Sequence, residues 1–319
     1  MRKTVNRENI AGRIYDINLE KKVTGPSSKA PGTPYIAGDI DIATDDDALN
    51  IVTVHYSYVT ETTSKGNADK RYPVLANLID NAKTIVADGA ENATIIKVGG
   101  SALALNEFFT DNAKTDKNPD GLVSAKRNEG GFISVVSKLN EKDDRNKFEC
   151  DMFITNVRSI EADPDNNIPK DYVILKGVVF DYAGKILPVE FTVRSEGGIK
   201  YFESLDISDK NPVFTKVWGT IESQTITKTY EEESAFGEPV VKESTRTIRE
   251  WTVTGAAPET YEIGDAENGV TIAEITEKIQ KRNTDLAEQK AKAEEYKASK
   301  ENATATPTVA ASTGVDFNF

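Results

Sequence analysis

Tyr172-Val-Ile-Leu-Lys-Gly-Val-Val-Phe-Asp-Tyr182 is apolar on both parities, the pattern of a strand inside a closed sheet, and its Gly177 suits a bend or bulge. An alternating strand follows, with Leu187, Val189, Phe191 and Val193 on one parity and Glu190, Thr192 and Arg194 on the other. Next come a short helical candidate, Gly198–Leu205, and a long strand, Val213–Ile226, which carries Val217-Trp-Gly-Thr220. Thr245–Thr254 pairs with that strand across the acidic, glycine-containing loop Tyr230–Pro239. The same succession occurs once earlier. Tyr35-Ile-Ala-Gly-Asp-Ile40 precedes the strand Ile51–Val59, in which Val52, Val54, Tyr56 and Tyr58 alternate with Thr53, His55 and Ser57. A helical candidate over Asp69–Asn81 then leads to Val98-Gly-Gly-Ser101.

Strand-strand-strand-helix-strand-strand is the order of the OB-fold, a five-stranded Greek-key barrel. The expected fold is therefore mainly β: two tandem OB-fold-like antiparallel barrels, a charged C-terminal helix and a disordered tail. The seam between the copies is the charged run Glu141-Lys-Asp-Asp-Arg-Asn146. This divides the chain into an N-terminal domain (1–145), a second domain (146–262), the helix (263–300) and a flexible tail (301–319). Thr271-Ile-Ala-Glu274 reads as a capping box, and Ile272, Ile275 and Ile279 follow at helical spacing. Its first turns are expected to pack on a barrel and the remainder to project as a solvated helix or a self-association segment. Beyond Ser299 the Ala, Thr and Ser composition cannot bury enough apolar surface to fold.

One cysteine, Cys150, excludes an internal disulfide and points to a reducing compartment; its alternation with Phe148, Met152 and Ile154 predicts a buried thiol. With no apolar run long enough to cross a bilayer, a soluble cytoplasmic protein is expected, in a host cell if phage-encoded. The net charge of -13 argues against a nucleic-acid partner, yet binding follows the local field, and Met1–Pro34 carries seven basic residues against three acids.

Catalysis finds little support. His55 is the sole histidine and sits on the polar parity of its strand, and no phosphate loop or paired metal-ligand spacing is present. The acidic clusters Asp39-x-Asp41…Asp45-Asp46-Asp47 and Asp163-Pro-Asp165-Asn-Asn167 lack the Gly and terminal Glu of a calcium loop and read as turn and edge charges. No cofactor or metal is implied. The stronger signal is the interleaving of rings and cations on strands. Phe214, Lys216 and Trp218 share a parity, as do Arg249 and Trp251 on the pairing strand. Lys176, Phe180 and Tyr182 form a second row, with Arg194 ending the neighbouring strand. Flat rings for bases beside cations for phosphates are what a single-strand groove needs, although aromatics also fill barrel interiors.

Two candidate OB-folds, a low-complexity tail and a tip of Gly314-Val-Asp-Phe-Asn-Phe319 resemble a single-stranded DNA-binding protein of the bacterial or bacteriophage replication type. In that family an acidic tip ending in Phe recruits other replication proteins. The resemblance carries this role to Asp316, Phe317 and Phe319, although the familiar tip has several acids and an Ile-Pro-Phe ending. It implies sequence-independent binding of single-stranded DNA in replication, recombination or repair, with replication or recombination proteins as partners, no membrane, and no enzymatic activity. The alternative is a phage structural or assembly protein with β-barrel domains and no nucleic-acid role.

Overall fold

The first strand, β1 (Asn6–Val23), is long enough to serve two neighbours in succession. The structure, a computed structural model, describes residues 1–26, 28–139, 141–163, 170–232, 240–265 and 267–304. Residues 8–13 of β1 pair antiparallel with β4 (Ile95–Phe109), and residues 13–23 with β2 (Pro34–Ala43). A register shift between Ile14 and Asp16 marks the bulge where the strand bends from one neighbour to the other. β2 pairs with β3 (Ile51–Thr60), which runs parallel to β5 (Leu122–Glu129), and β5 lies beside β4. The pairing thus returns to β1. Helices α1 (Arg71–Asn81) and α2 (Ile85–Asp88) fall between β3 and β4, and β6 (Phe132–Val135) adds to the edge of β4.

The second half repeats this scheme. β7 (Asn146–Ile160) pairs through residues 147–154 with β10 (Val213–Glu232), and through residues 152–160 with β8 (Tyr172–Phe180). The bulge lies between Ile154 and Asn156, opposite Gly177, where an added Cβ would stand 2.1 Å from the Phe153 carbonyl oxygen. β8 pairs with β9 (Ile186–Val193), β9 runs parallel to β11 (Val240–Ala256), and β11 pairs with β10. Helix α3 (Glu196–Ser204) falls between β9 and β10. Antiparallel pairing of β1 with β7, from Asn6–Cys150 to Ile10–Asn146, joins the halves into one eleven-stranded sheet. The fold is mainly β, closed by a C-terminal helix, α4 (Ile272–Thr304).

Inward residues of both halves form one core, including Ile10, Ile40, Val54, Cys150, Leu175 and Val217. Tyr58, expected inside with Val52, Val54 and Tyr56, is instead exposed. A bulge sets Ser57 and Tyr58 opposite Ala37 alone and resets the alternation, so Val59 is buried in its place. A second, smaller core explains the two-sided burial of β8. The chain after β11 returns across the outer face, where Tyr261, Val270 and Ile275 cover Phe153, Val178, Phe180 and Phe214. Ile275 belongs to the first turn of α4, whose capping box is formed: the Thr271 N–H donates to Glu274 Oε2 at 2.8 Å and the Glu274 N–H to Thr271 Oγ1 at 3.2 Å.

The two copies of Val-x-Gly-[Ser/Thr] need their glycines for different reasons. Gly100 has φ +70, whereas a Cβ on Gly219 would lie 1.9 Å from the Thr252 carbonyl oxygen. Gly219→Ala should therefore cost about 2–3 kcal/mol in urea unfolding, and Gly100→Ala about 1–2 kcal/mol. Equal and negligible losses would show that neither the positive φ of Gly100 nor the close approach at Gly219 constrains the residue.

The described chain divides into two compact units: Met1–Asn106 with Ala125–Thr276, and Glu107–Ser124 with residues 277–304. In the second unit, α4 is not free along its length. Lys290 meets Asp120 at 2.5 Å and Lys297 meets Asp111 at 2.7 Å, and Arg282 pairs with Glu107.

Candidate nucleic-acid interface

The β10–β11 register splits the row expected from the sequence. Trp218 pairs with Gly255, but Ile221 pairs with Trp251 and Ser223 with Arg249, so Arg249 and Trp251 share the inward face and not the face of Lys216 and Trp218. Trp251 is 2% exposed and belongs to the main core, and its indole N–H donates to Glu8 Oε1 at 3.3 Å. Phe214 and Phe180 are fully buried, edge to face at 6.0 Å, beneath the returning chain. These three rings are packing residues, and burial removes them from the expected stacking surface. Trp218 stays 40% exposed, its ring standing over Gly255. Lys216 is held by Glu149 at 2.8 Å, and Arg194 is held by Glu250 at 2.8 Å while lying 4.7 Å over the Tyr172 ring. Lys176 is exposed on the outer face of β8, and Tyr182 is fully exposed in the turn after it. Asp316, Phe317 and Phe319 lie outside the described residues.

A different set of residues comes together. A cleft of about 310 Å³ opens where β3 and β5 meet β10 and β11, lined in part by His55, Lys126, Arg127, Glu222, Arg249 and Trp251. Lys126 Nζ lies 4.9 Å over the Trp251 ring and donates to the Glu190 carbonyl at 2.7 Å. Burial pushes its ammonium pKa down, against the pull of Glu190 and Glu250. Among the described residues neither Lys126 nor Arg249 has a carboxylate within ion-pair distance. Arg127, by contrast, pairs with Glu129 at 3.0 Å. Desolvation of Lys126 outweighs the pull of Glu190 and Glu250, and an anion entering the cleft would offset the remaining cost, whereas Arg249 is exposed beside it.

From the cleft the outer face of β2 and β3 continues outward. Asp39 Oδ1 lies 2.7 Å from His55 Nδ1, and Asp41 accepts from the Thr53 hydroxyl at 2.6 Å, so these acids are cross-strand partners. Asp45 caps its own loop by accepting the Leu49 and Asn50 N–H groups, and Asp46 pairs with Arg145 at 2.7 Å. Further along the face, the rings of Tyr35 and Tyr58 pack with centroids 4.7 Å apart, the latter exposed by its bulge. Sequence reasoning missed Lys126, Tyr35 and Tyr58. The adjacent pair Lys126-Arg127 on a strand was a usable signal, but the bulge that turns Tyr58 outward has no signature in an alternating run.

Cys150 is buried and burial raises its thiol pKa well above the ordinary range. No helix of the described residues is long and apolar enough to cross a membrane. The chain is similar to the crystal structure of the wild-type single-stranded DNA binding protein from Thermus aquaticus, at 11% identity and a TM-score of 0.46, over 84% of this chain and 98% of that one. A deletion mutant of that protein is similar at 10% identity and a TM-score of 0.45, over 83% of this chain and 99% of that one. No curated protein sequence matches the chain. The YorF family model matches residues 4–294, most of the 319-residue chain, and the protein therefore belongs to the YorF family.

Proposed function

We propose that the two strand circuits are OB-type barrels and that the protein binds single-stranded DNA without sequence preference, in replication, recombination or repair. Each half has the same cyclic pairing, with a parallel pair where the circuit closes and a helix between its third and fourth strands. In OB-folds the face of the second and third strands is the one that carries oligonucleotides. Here that face bears the Tyr35–Tyr58 ring pair and leads into the cleft. The observation that carries the reading is the cleft's two cations, Lys126 and Arg249, with no carboxylate at ion-pair distance among the described residues. They would take backbone phosphates, while the tyrosine rings take bases at about 1–3 kcal/mol each. Binding without catalysis suits a molecule whose one histidine is engaged by Asp39 and whose one thiol is buried. Recruitment of replication or recombination proteins by Asp316, Phe317 and Phe319 rests on the tail sequence alone.

The test is anisotropy of labelled oligo-dT at low salt. Lys126→Ala combined with Arg249→Ala should lower affinity at least tenfold and flatten the slope of log affinity against log salt by about 1.4, for two phosphate contacts at about 0.7 each on a single strand. In Trp218→Phe, where Trp251 is the one remaining tryptophan, added oligo-dT should still change the emission through the cleft. No binding by the wild type, or an unaltered slope in the double variant, would overturn the assignment.

A further inference from the structure

In the second compact unit, basic residues of α4 face the acidic connection between β4 and β5. Arg282, Lys290 and Lys297 recur about two turns apart and lie along one stripe of the helix. Each meets a different carboxylate: Glu107, Asp120 and Asp111, respectively. The three pairs are not equivalent. Arg282 and Glu107 are both largely shielded, and Gln289 adds a hydrogen bond to the Glu107 carbonyl at 2.7 Å. The other two pairs are open to water, with Asp120 and Asp111 61% and 62% exposed.

The connection does not need the helix to keep its shape. Asn118 Nδ2 donates to the carbonyls of Ala113 and Leu122, both at 3.0 Å, and the Thr110 N–H donates to the Gly121 carbonyl at 2.9 Å. Gly121 takes φ +69, with its Cα facing the Thr110 carbonyl too closely for any Cβ. The connection is therefore a self-supporting acidic finger laid on a basic stripe. Exposed ion pairs of this kind are weak, because water screens both charges. A polyanion that releases counterions on binding competes easily at that level.

We propose that Lys290 and Lys297 form a second contact for single-stranded nucleic acid, held closed by Asp120 and Asp111, which stand where phosphates would lie. The Arg282–Glu107 pair is the root that stays closed while the outer two exchange their carboxylates for phosphates. This rests on the single-strand binding proposed above but uses none of the cleft residues. The finger tunes the apparent affinity, so removing its charge exposes the stripe.

Asp111→Asn combined with Asp120→Asn should raise affinity for labelled oligo-dT roughly three- to tenfold at low salt and steepen the salt slope. Adding Lys290→Ala and Lys297→Ala to that variant should abolish the gain. The charge-matched control, Glu91→Gln with Asp116→Asn, removes two acids that make no pair with α4 among the described residues and should change affinity less than twofold. Circular dichroism confirms that each variant retains its helix. Wild-type binding that the Asn variant leaves unchanged, a gain equal to the control's, or a gain that survives loss of both lysines would each overturn this contact while leaving the cleft assignment intact. Failure of both the wild type and the Asn variant to bind would remove both. Binding by the Asn variant alone would establish the masked stripe.

Discussion

Glu8→Gln should raise stability at pH 8 by a few kcal/mol and flatten the pH profile of unfolding between about pH 5 and pH 8. Glu8 is buried where the two halves of the sheet join, 4% exposed, with Ser101 Oγ at 2.8 Å and the Trp251 indole at 3.3 Å. Among the described residues no cation pairs with it. Burial raises its pKa from 4.5 to about 8, against the two hydrogen bonds, which favour the charged form. The protonated carboxyl also completes the network. Ser101 has one hydroxyl proton and stands 2.9 Å from the Glu129 carbonyl, so a neutral Glu8 can donate to Ser101 while Ser101 donates onward. Below pH 4.5 native and unfolded chains both hold the proton. Between there and pH 8 only the native chain does, so stability falls as pH rises, by about 1.4 kcal/mol per pH unit, and the loss is complete above pH 8. Glutamine keeps the donor and the acceptor and cannot ionise. Urea unfolding of both proteins at pH 5, 7 and 9 gives the difference directly. Parallel profiles would show that Glu8 is ionised in the native state and that the join tolerates its charge.

The second large effect separates the two tryptophans. Trp251→Ala should cost about 3–5 kcal/mol, as for any large ring removed from a packed core, and should also strip Glu8 and Lys126 of the ring between them. Trp218→Ala, at a 40% exposed position, should cost no more than about 1 kcal/mol. The physical difference is the side of the β10–β11 ribbon each ring occupies, which the register sets. Thermal melts decide it. Equal losses would place Trp218 in a packed environment that its exposure contradicts, while a harmless Trp251→Ala would mean that the join between the halves is loosely packed. Loss of the proposed DNA binding in Trp251→Ala would not by itself assign a stacking role, because the cleft wall is lost with the ring.

Much of the architecture is legible in the sequence. The element order strand-strand-strand-helix-strand-strand occurs twice, Gly177 lies opposite a bulge, and Thr271 and Glu274 make their reciprocal cap. Each of these is a local property, carried by periodicity of two or by the hydrogen-bonding reach of one side chain. The candidate interface is less legible. Phe180, Phe214 and Trp251 follow the ring-and-cation pattern that binding strands share with core strands, and burial alone separates the two. Tyr58 was expected inside because alternation cannot register a bulge. Lys126 gains its position only when the fifth strand of one half crosses toward the last strands of the other.

Local patterning by itself determined that this chain builds a mainly β protein of two similar halves with a capped, charged helix at its end, because main-chain hydrogen bonding and apolar alternation act over a few residues. Which face of each strand meets water was decided by tertiary structure. The chain after β11 folds back over one outer face, bulges invert the alternation, and the join of β1 with β7 sets a carboxyl and an indole inside. Those are contacts between residues far apart in the chain, and no short-range rule encodes them.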